Sequence, residues 1–162
     1  MPNDTMDLPA QLAEKARISW NNILERAPAA LVGPLEAAAR DVPAASQLPR
    51  VLACSPFVAD LCRRQPALLL DLLGSDELQA SLAETAFRSE LHRLLAATEV
   101  EPGVVLRRYR QRHMLRIIWR DFCRLADTRE TVRDTSLLAE ACIAEALDIS
   151  QAAMEARFGV PR

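Results

Sequence analysis

Residues 106–121 read LRRYRQRHMLRIIWRD and hold six arginines in sixteen residues. On a helix, Arg112, Arg116, Arg120 and Arg124 recur at i+4 and make one slowly turning basic stripe. Met114, Leu115, Ile118, Phe122 and Leu125 then form the opposite, apolar face. Guanidinium groups are planar, permanently charged and bidentate, so the chemistry such a stripe offers is capture of carboxylate or phosphate. Two readings stand side by side. The stripe is a wet face, or one bridged to the glutamates and aspartates of neighbouring helices; or it is a docking surface for an acidic partner or another domain. Arg107 falls on the apolar side, above Met114 and Ile118. Buried there it needs a carboxylate partner; otherwise it lies at the edge with its head in water. Tyr109 and Trp119 have no regular spacing that would make a base-stacking platform, so specific nucleic-acid binding is not expected.

Other reactive residues are sparse. The chain contains no phosphate-cradling glycine loop, no H-E-x-x-H and no G-x-S-x-G, and its four glycines are scattered at 33, 74, 103 and 159. His92 and His113 lie in different helical segments and read as surface or packing residues. Cys54, Cys62, Cys123 and Cys142 form no C-x-x-C pair, which leaves no zinc spacing and no disulfide framework. They are expected to be reduced, buried thiols, Cys54 included even though it sits one residue before a helix cap. No catalytic and no metal-binding residue is assigned.

The elements that must position the arginines follow from composition and period. Alanine and leucine make up nearly one residue in three of the 162, the net charge is −2, and Lys15 is the one lysine. That balance disfavours disorder, β-sandwiches and a globally basic nucleic-acid binder. Residues 1–7 are polar and acidic, and no apolar run reaches the roughly 18 residues of a membrane span, so a cytoplasmic protein without membrane association is expected. Leu12, Ala16, Trp20, Ile23 and Ala27 mark a first helix between Pro9 and Pro28. Short helices or turns are expected over about 31–74, cut by Gly33, Pro34 and Pro43 and restarted at Ser55-Pro56 and Gln65-Pro66. Longer helices are expected over about 76–97, 102–126 and 128–158. The third is opened by the capping box Asp127-x-x-Glu130 and closed at Phe158-Gly159, with Pro161 blocking continuation. The fold class is all-α: a single helical region, a multi-helix bundle-like array.

Several blocks carry a resemblance. VLACSPFVADLCRRQPALL (51–69), LRRYRQRHMLRIIWRDF (106–122) and ADTRETVRDTSLLAEACIAEAL (126–147) resemble consecutive blocks in the N-terminal part of the bifunctional glutamine synthetase adenylyltransferase/adenylyl-removing enzymes. SWNNILERAP (19–28) and RFGVP (157–161) resemble that family's beginning and its pre-catalytic linker. The resemblance implies an enzyme of nitrogen control whose two nucleotidyltransferase domains act oppositely on one tyrosine of glutamine synthetase. One attaches AMP from ATP; the other removes it with phosphate and releases ADP. PII-type signal proteins and glutamine set the balance, and Mg²⁺ is held by carboxylates in a motif like G-G-x-E-L-N-x-x-S-D-x-D-L. That motif is expected after residue 162 and no carboxylate here matches it. The chain is therefore expected to be the helical segment preceding the adenylyl-removing site, inactive alone, with its own absent catalytic domain as one partner. A freestanding helical module binding glutamine synthetase or a PII-type protein, and an Arg-helix nucleic-acid binder, are the alternatives.

Overall fold

Prolines and a few polar caps set where the helices start. The computed structural model describes residues 8–160; residues 1–7 and Pro161, for which the sequence suggests a polar lead and a helix stop, lie outside the described residues. Helix α1 spans Ala10–Arg26 directly after Pro9, and α2 spans Ala29–Asp41 after Pro28. A short 3-10 turn, Pro43–Gln47, leads into α3, Leu48–Cys54. Then come α4, Pro56–Arg64, α5, Pro66–Leu73, and a second 3-10 turn at Asp76–Leu78. Helices α6, Ala86–Ala96, α7, Pro102–Phe122, and α8, Thr128–Phe158, complete the chain. No strand occurs among the described residues.

The caps explain the boundaries. Ser55 Oγ accepts the Val58 N–H at 3.2 Å, with Pro56 behind it in the first turn, as Ser-Pro predicts. Glu101, which the sequence reading passed over, uses both carboxylate oxygens on the Gly103 and Val104 N–H groups ahead of α7. Asp127 accepts the Glu130 N–H at 2.7 Å to open α8. At its far end Gly159 takes φ 82, ψ 169, a region that glycine alone enters freely.

Three expectations change. Gly33-Pro34 does not cut α2, because Pro34 removes one N–H from the ladder while the fully buried Leu35 holds the helix against the core. The helix expected over 76–97 exists only from Ala86, its first part being a 3-10 turn followed by irregular chain. The helix expected to run to 126 stops at Phe122. There Leu125 N–H bonds the Arg120 carbonyl and Arg124 N–H bonds the Asp121 carbonyl, a Schellman turn with Arg124 at φ 54.

Two hydrophobic cores share one helix. The first gathers Ile23, Leu35, Val51, Leu52, Val58, Leu61 and Leu69 from α1–α5 and closes on Leu115 and Trp119 of α7. The second joins Phe87 and Leu91 of α6 to Leu138 and Ala141 of α8 through Tyr109 and Ile117 of α7. Helix α7 is thus walled in on both sides, unlike a surface helix with one apolar stripe. Leu115→Ala is expected to destabilise the chain by about 3 kcal/mol, from lost burial plus a cavity, against under ~0.5 kcal/mol for Leu125→Ala on the exposed turn. Urea titration followed by Trp fluorescence checks the difference, and equal midpoints for the two variants would remove α7 from the core.

Candidate functional site

The sector of α7 between its two apolar faces is where the arginines lie. Arg112, Arg116 and Arg120 point toward the irregular segment that follows α5 and toward the start of α8. The Arg116 side chain is fully buried, and its Nε donates to the Glu77 carbonyl at 3.0 Å. Its Nη1 reaches Asp134 Oδ2 of α8 at 3.2 Å, and its Nη2 donates to the Ala80 carbonyl. Arg120, nearly as buried, donates to the Leu78 carbonyl at 2.6 Å and to the Leu125 carbonyl at 2.9 Å, and holds Glu130 at 2.8 Å. Arg112 grips Glu77 with both terminal nitrogens, at 2.7 and 2.9 Å, and Asp71 of α5 through Nε at 2.5 Å. From α8, Arg133 completes the set by holding Asp134 at 2.7 Å and reaching Ser81 Oγ at 3.1 Å.

The 3-10 turn bonds the Asp76 carbonyl through Gln79 N–H and the chain beyond it is irregular, so the carbonyls from Glu77 onward need other donors. Guanidinium groups supply them at Glu77, Leu78 and Ala80. Each buried cation also has a carboxylate to match, Asp134 for Arg116 and Glu130 for Arg120. Burial and the neighbouring Arg120 charge draw the Arg116 pKa below an ordinary arginine's, and Asp134 and Glu77 work against that shift. At Arg112 burial also opposes the charge, but Glu77 and Asp71 outweigh it and raise the pKa.

The expected docking surface of Arg112, Arg116, Arg120 and Arg124 is therefore corrected. The first three are spent inside the chain, which is the bridged reading of the stripe, and Arg124 has left the helix for the exposed Schellman turn. The reason is geometric: with cores on both sides of α7, the sector between them faces inward. Arg107 is exposed at the edge, and among the described residues no carboxylate lies within ion-pair distance of it. Glu130 gives only half a capping box, because its carboxylate is diverted to Arg120. Asp71, Glu77 and Asp134 were not foreseen as partners; acids facing an i+4 arginine ladder from neighbouring helices are the signal that could have marked them.

Beside the ladder, His113 is fully buried between the rings of Phe87, 5.1 Å away, and Tyr109, 4.3 Å away. Its Nε2 lies 3.2 Å from Glu90 Oε2 but off the line of a hydrogen bond. The Tyr109 hydroxyl is placed to donate to the Phe87 carbonyl at 2.9 Å or to Glu90 at 3.1 Å. Contact with the His113 imidazole, against burial and with help from Tyr109 and Arg112, holds the Glu90 carboxyl below its usual range. His92 on α6 lies outside, 3.2 Å from Glu145 of α8. Cys62 is the buried thiol expected, while Cys123 and Cys142 are only half-buried; burial pushes Cys62 up to about 12 and Cys123 up to about 11. Cys54 is corrected: at the last position of α3 it is exposed.

The family model of glutamate-ammonia ligase adenylyltransferases matches residues 45–162. The chain belongs to that family. The bifunctional glutamine synthetase adenylyltransferase/adenylyl-removing enzyme of Pseudomonas aeruginosa is 39% identical over 160 residues, covering 96% of this chain and 16% of the relative. The proteins of the same description from Pseudomonas syringae pv. tomato and Nitrosococcus oceani are 40% and 46% identical over 144 and 99 residues. Those matches cover 85% and 60% of this chain, and 14% and 10% of the relatives. The chain thus spans about a sixth or less of the relatives it matches, and no solved structure matches it.

Two expectations follow from the geometry. Arg116→Met is expected to destabilise by roughly 3–5 kcal/mol, because it strips two loop carbonyls of their donor and leaves the buried Asp134 with Arg133 as its one cation, whereas Arg107→Met on the exposed edge shifts stability by less than about 0.5 kcal/mol. Equal effects in thermal melts would return the ladder to the surface. Glu90, whose folded pKa is depressed, contributes stability that is present above its ordinary 4.5 and lost as pH falls through the folded value. Glu90→Gln is expected to flatten the stability–pH slope below pH 4.5, and unchanged slopes in acid titrations would show that the His113 contact carries no linkage.

Proposed function

We propose that this chain is the N-terminal helical segment of a bifunctional enzyme that adenylylates and deadenylylates glutamine synthetase, and that it belongs to the adenylyl-removing half. The observation that carries the reading is the family match through 96% of the chain against only 16% of the Pseudomonas aeruginosa relative. In that whole enzyme the removing domain transfers AMP from the glutamine synthetase tyrosine to phosphate, releasing ADP, and a PII-type signal protein biases the two activities.

The role of this segment is that of a scaffold. Asp71, Glu77, Glu130 and Asp134 each face an arginine, and among the described residues no three His, Cys, Asp or Glu side chains are grouped to hold a metal. The acids present do not fit Mg²⁺, so no step of the reaction is routed through them. In this reading Mg²⁺ and ATP or phosphate are bound by the nucleotidyltransferase domains of the parent enzyme. A helical adaptor acting without chemistry is the second reading, favoured by a fold that satisfies its own buried charges. The nucleic-acid reading loses its motive, because Arg116 and Arg120 are not free for phosphate. No helix among the described residues is long and apolar enough to cross a membrane.

Purified alone, the 162-residue chain is expected to show no turnover in either direction, with adenylylated or unmodified glutamine synthetase, Mg²⁺, and phosphate or ATP supplied. Continued in one polypeptide through the portion that follows the matched region in the Pseudomonas aeruginosa relative, it is expected to support phosphate-dependent release of ADP. Metal-dependent turnover by the short chain would overturn the scaffold reading. An inactive long chain, with the short one binding glutamine synthetase tightly, would favour the adaptor.

A further inference from the structure

Helix α8 is apolar on two opposite faces. Leu138 and Ala141 turn inward with the buried Asp134 and Glu145. Val132, Ile143, Leu147, Met154 and Phe158 turn the other way, each between 57% and 68% exposed. At 100° per residue these five fall within one sector of about 80°, which Ser136, Glu140 and Ser150 share, with Ala139 and Ala146 on its flank. A 31-residue helix is about 46 Å long, so the stripe extends well past the part of α8 that α6 and α7 cover. Residues 150–158 carry no buried side chain, and the stripe continues along them to the last turn. Solvated helix ends are ordinarily polar. A row of large apolar side chains running off the body onto a projecting end has the form of half of a helix–helix interface.

We propose that this stripe is the seat of an amphipathic helix from the portion of the parent enzyme that follows this segment, an inference that rests on the function proposed above. Three observations select that occupant. The matched region is 16% of the Pseudomonas aeruginosa relative, so most of that polypeptide lies outside it. The stripe ends at Phe158, beside the point where the described chain ends at Val160, so a following segment is the first polypeptide within reach. Tethering at that distance corresponds to millimolar effective concentration, which favours it over a free partner of similar complementarity. Exposed Arg110 of α7 stands near Cys142 on the flank of α8, and exposed Glu140 lies within the stripe's own sector. The seated helix therefore presents Leu- or Ile-like knobs over Ser136 and Ser150, a basic side chain toward Glu140 and a carboxylate toward Arg110.

Cysteines at Ile143→Cys and Leu147→Cys, in a Cys54→Ser, Cys123→Ser, Cys142→Ser background whose one remaining thiol is the buried Cys62, report directly on cover. A Lys15→Cys control sits on the exposed side of α1. Because both stripe positions are exposed, the substitutions there are expected to leave the melting temperature of that 162-residue background unchanged. Maleimide labelling at 143 and 147 is expected to slow at least tenfold when the chain is continued through the following portion of the Pseudomonas aeruginosa relative, and at 15 to stay the same. Unchanged rates at 143 and 147 in a long chain that removes AMP from glutamine synthetase would overturn the seat and leave the functional reading standing. Unchanged rates in a long chain without that activity would overturn both. Concentration-dependent protection of the stripe in the short chain alone, matched by dimer formation in sedimentation, would overturn the proposal in favour of a second copy.

Discussion

Everything in this fold leans on two guanidinium groups that have no water to face. Arg116 and Arg120 sit where α7 meets the irregular chain after α5, and that chain depends on them as much as they depend on it. Carbonyls outside a helix and away from solvent must find donors. The guanidinium fork supplies several from one side chain, with a geometry that lysine's single ammonium cannot reproduce. Asp134 and Glu130 then make the charges tolerable. Removing Arg116 strips the Glu77 and Ala80 carbonyls of their donor and leaves Asp134 to Arg133 alone, a loss of several kcal/mol.

A buried ion pair is weak evidence for stability, since apolar residues of like volume would serve as well or better. Its contribution here is placement. Hydrophobic burial is non-directional and by itself fixes the rotation and register of α7 less sharply than oriented donor–acceptor pairs do. Arg112 to Asp71 and Glu77, Arg116 to Asp134, and Arg120 to Glu130 together fix the rotation of α7, the path of the 3-10 turn at Asp76–Leu78 and the entry of α8. The same contacts set the direction in which α8 leaves the body.

How much of this could be read from the sequence divides along a physical line. Local signals worked. Ser55-Pro56, Gln65-Pro66, Pro102 and Asp127 mark helix starts because a cap or a proline acts within one turn of itself. The all-helical class followed from period and composition. What failed was everything that needed a neighbour. Leu78, Leu82 and Phe87 are spaced for a helix, yet residues 79–85 are not helical, and arginines far along the chain donate to the carbonyls of Glu77, Leu78, Ala80 and Leu82 instead. The arginine stripe was placed opposite an apolar face, a construction valid for a helix with one buried side. Helix α7 has two, and on such a helix periodicity does not distinguish the inward polar sector from the outward one. Arg124 fits the i+4 ladder but sits beyond the last turn, because the helix stops at Phe122 and Arg124 is itself the left-handed residue of the Schellman turn. Cys54 misled for the simplest reason: thiol burial is a statistical tendency, and one residue's direction at a helix end decides it.

The Arg–carbonyl contacts join residues 36 to 42 positions apart, and Leu115 and Trp119 close a core whose other members begin at Ile23. A chain emerging from the ribosome in order therefore presents α1–α5 complete but unlidded, with a loop whose carbonyls have no donors, until the whole of α7 is outside. Synthesis at some 5–20 residues per second leaves that apolar cleft open for seconds. During that interval the N-terminal helices are a natural client for a chaperone that binds exposed leucine, and proteolysis of chains stalled with α7 still inside the exit tunnel and with α7 wholly outside it would show the cleft open in the first and shut in the second.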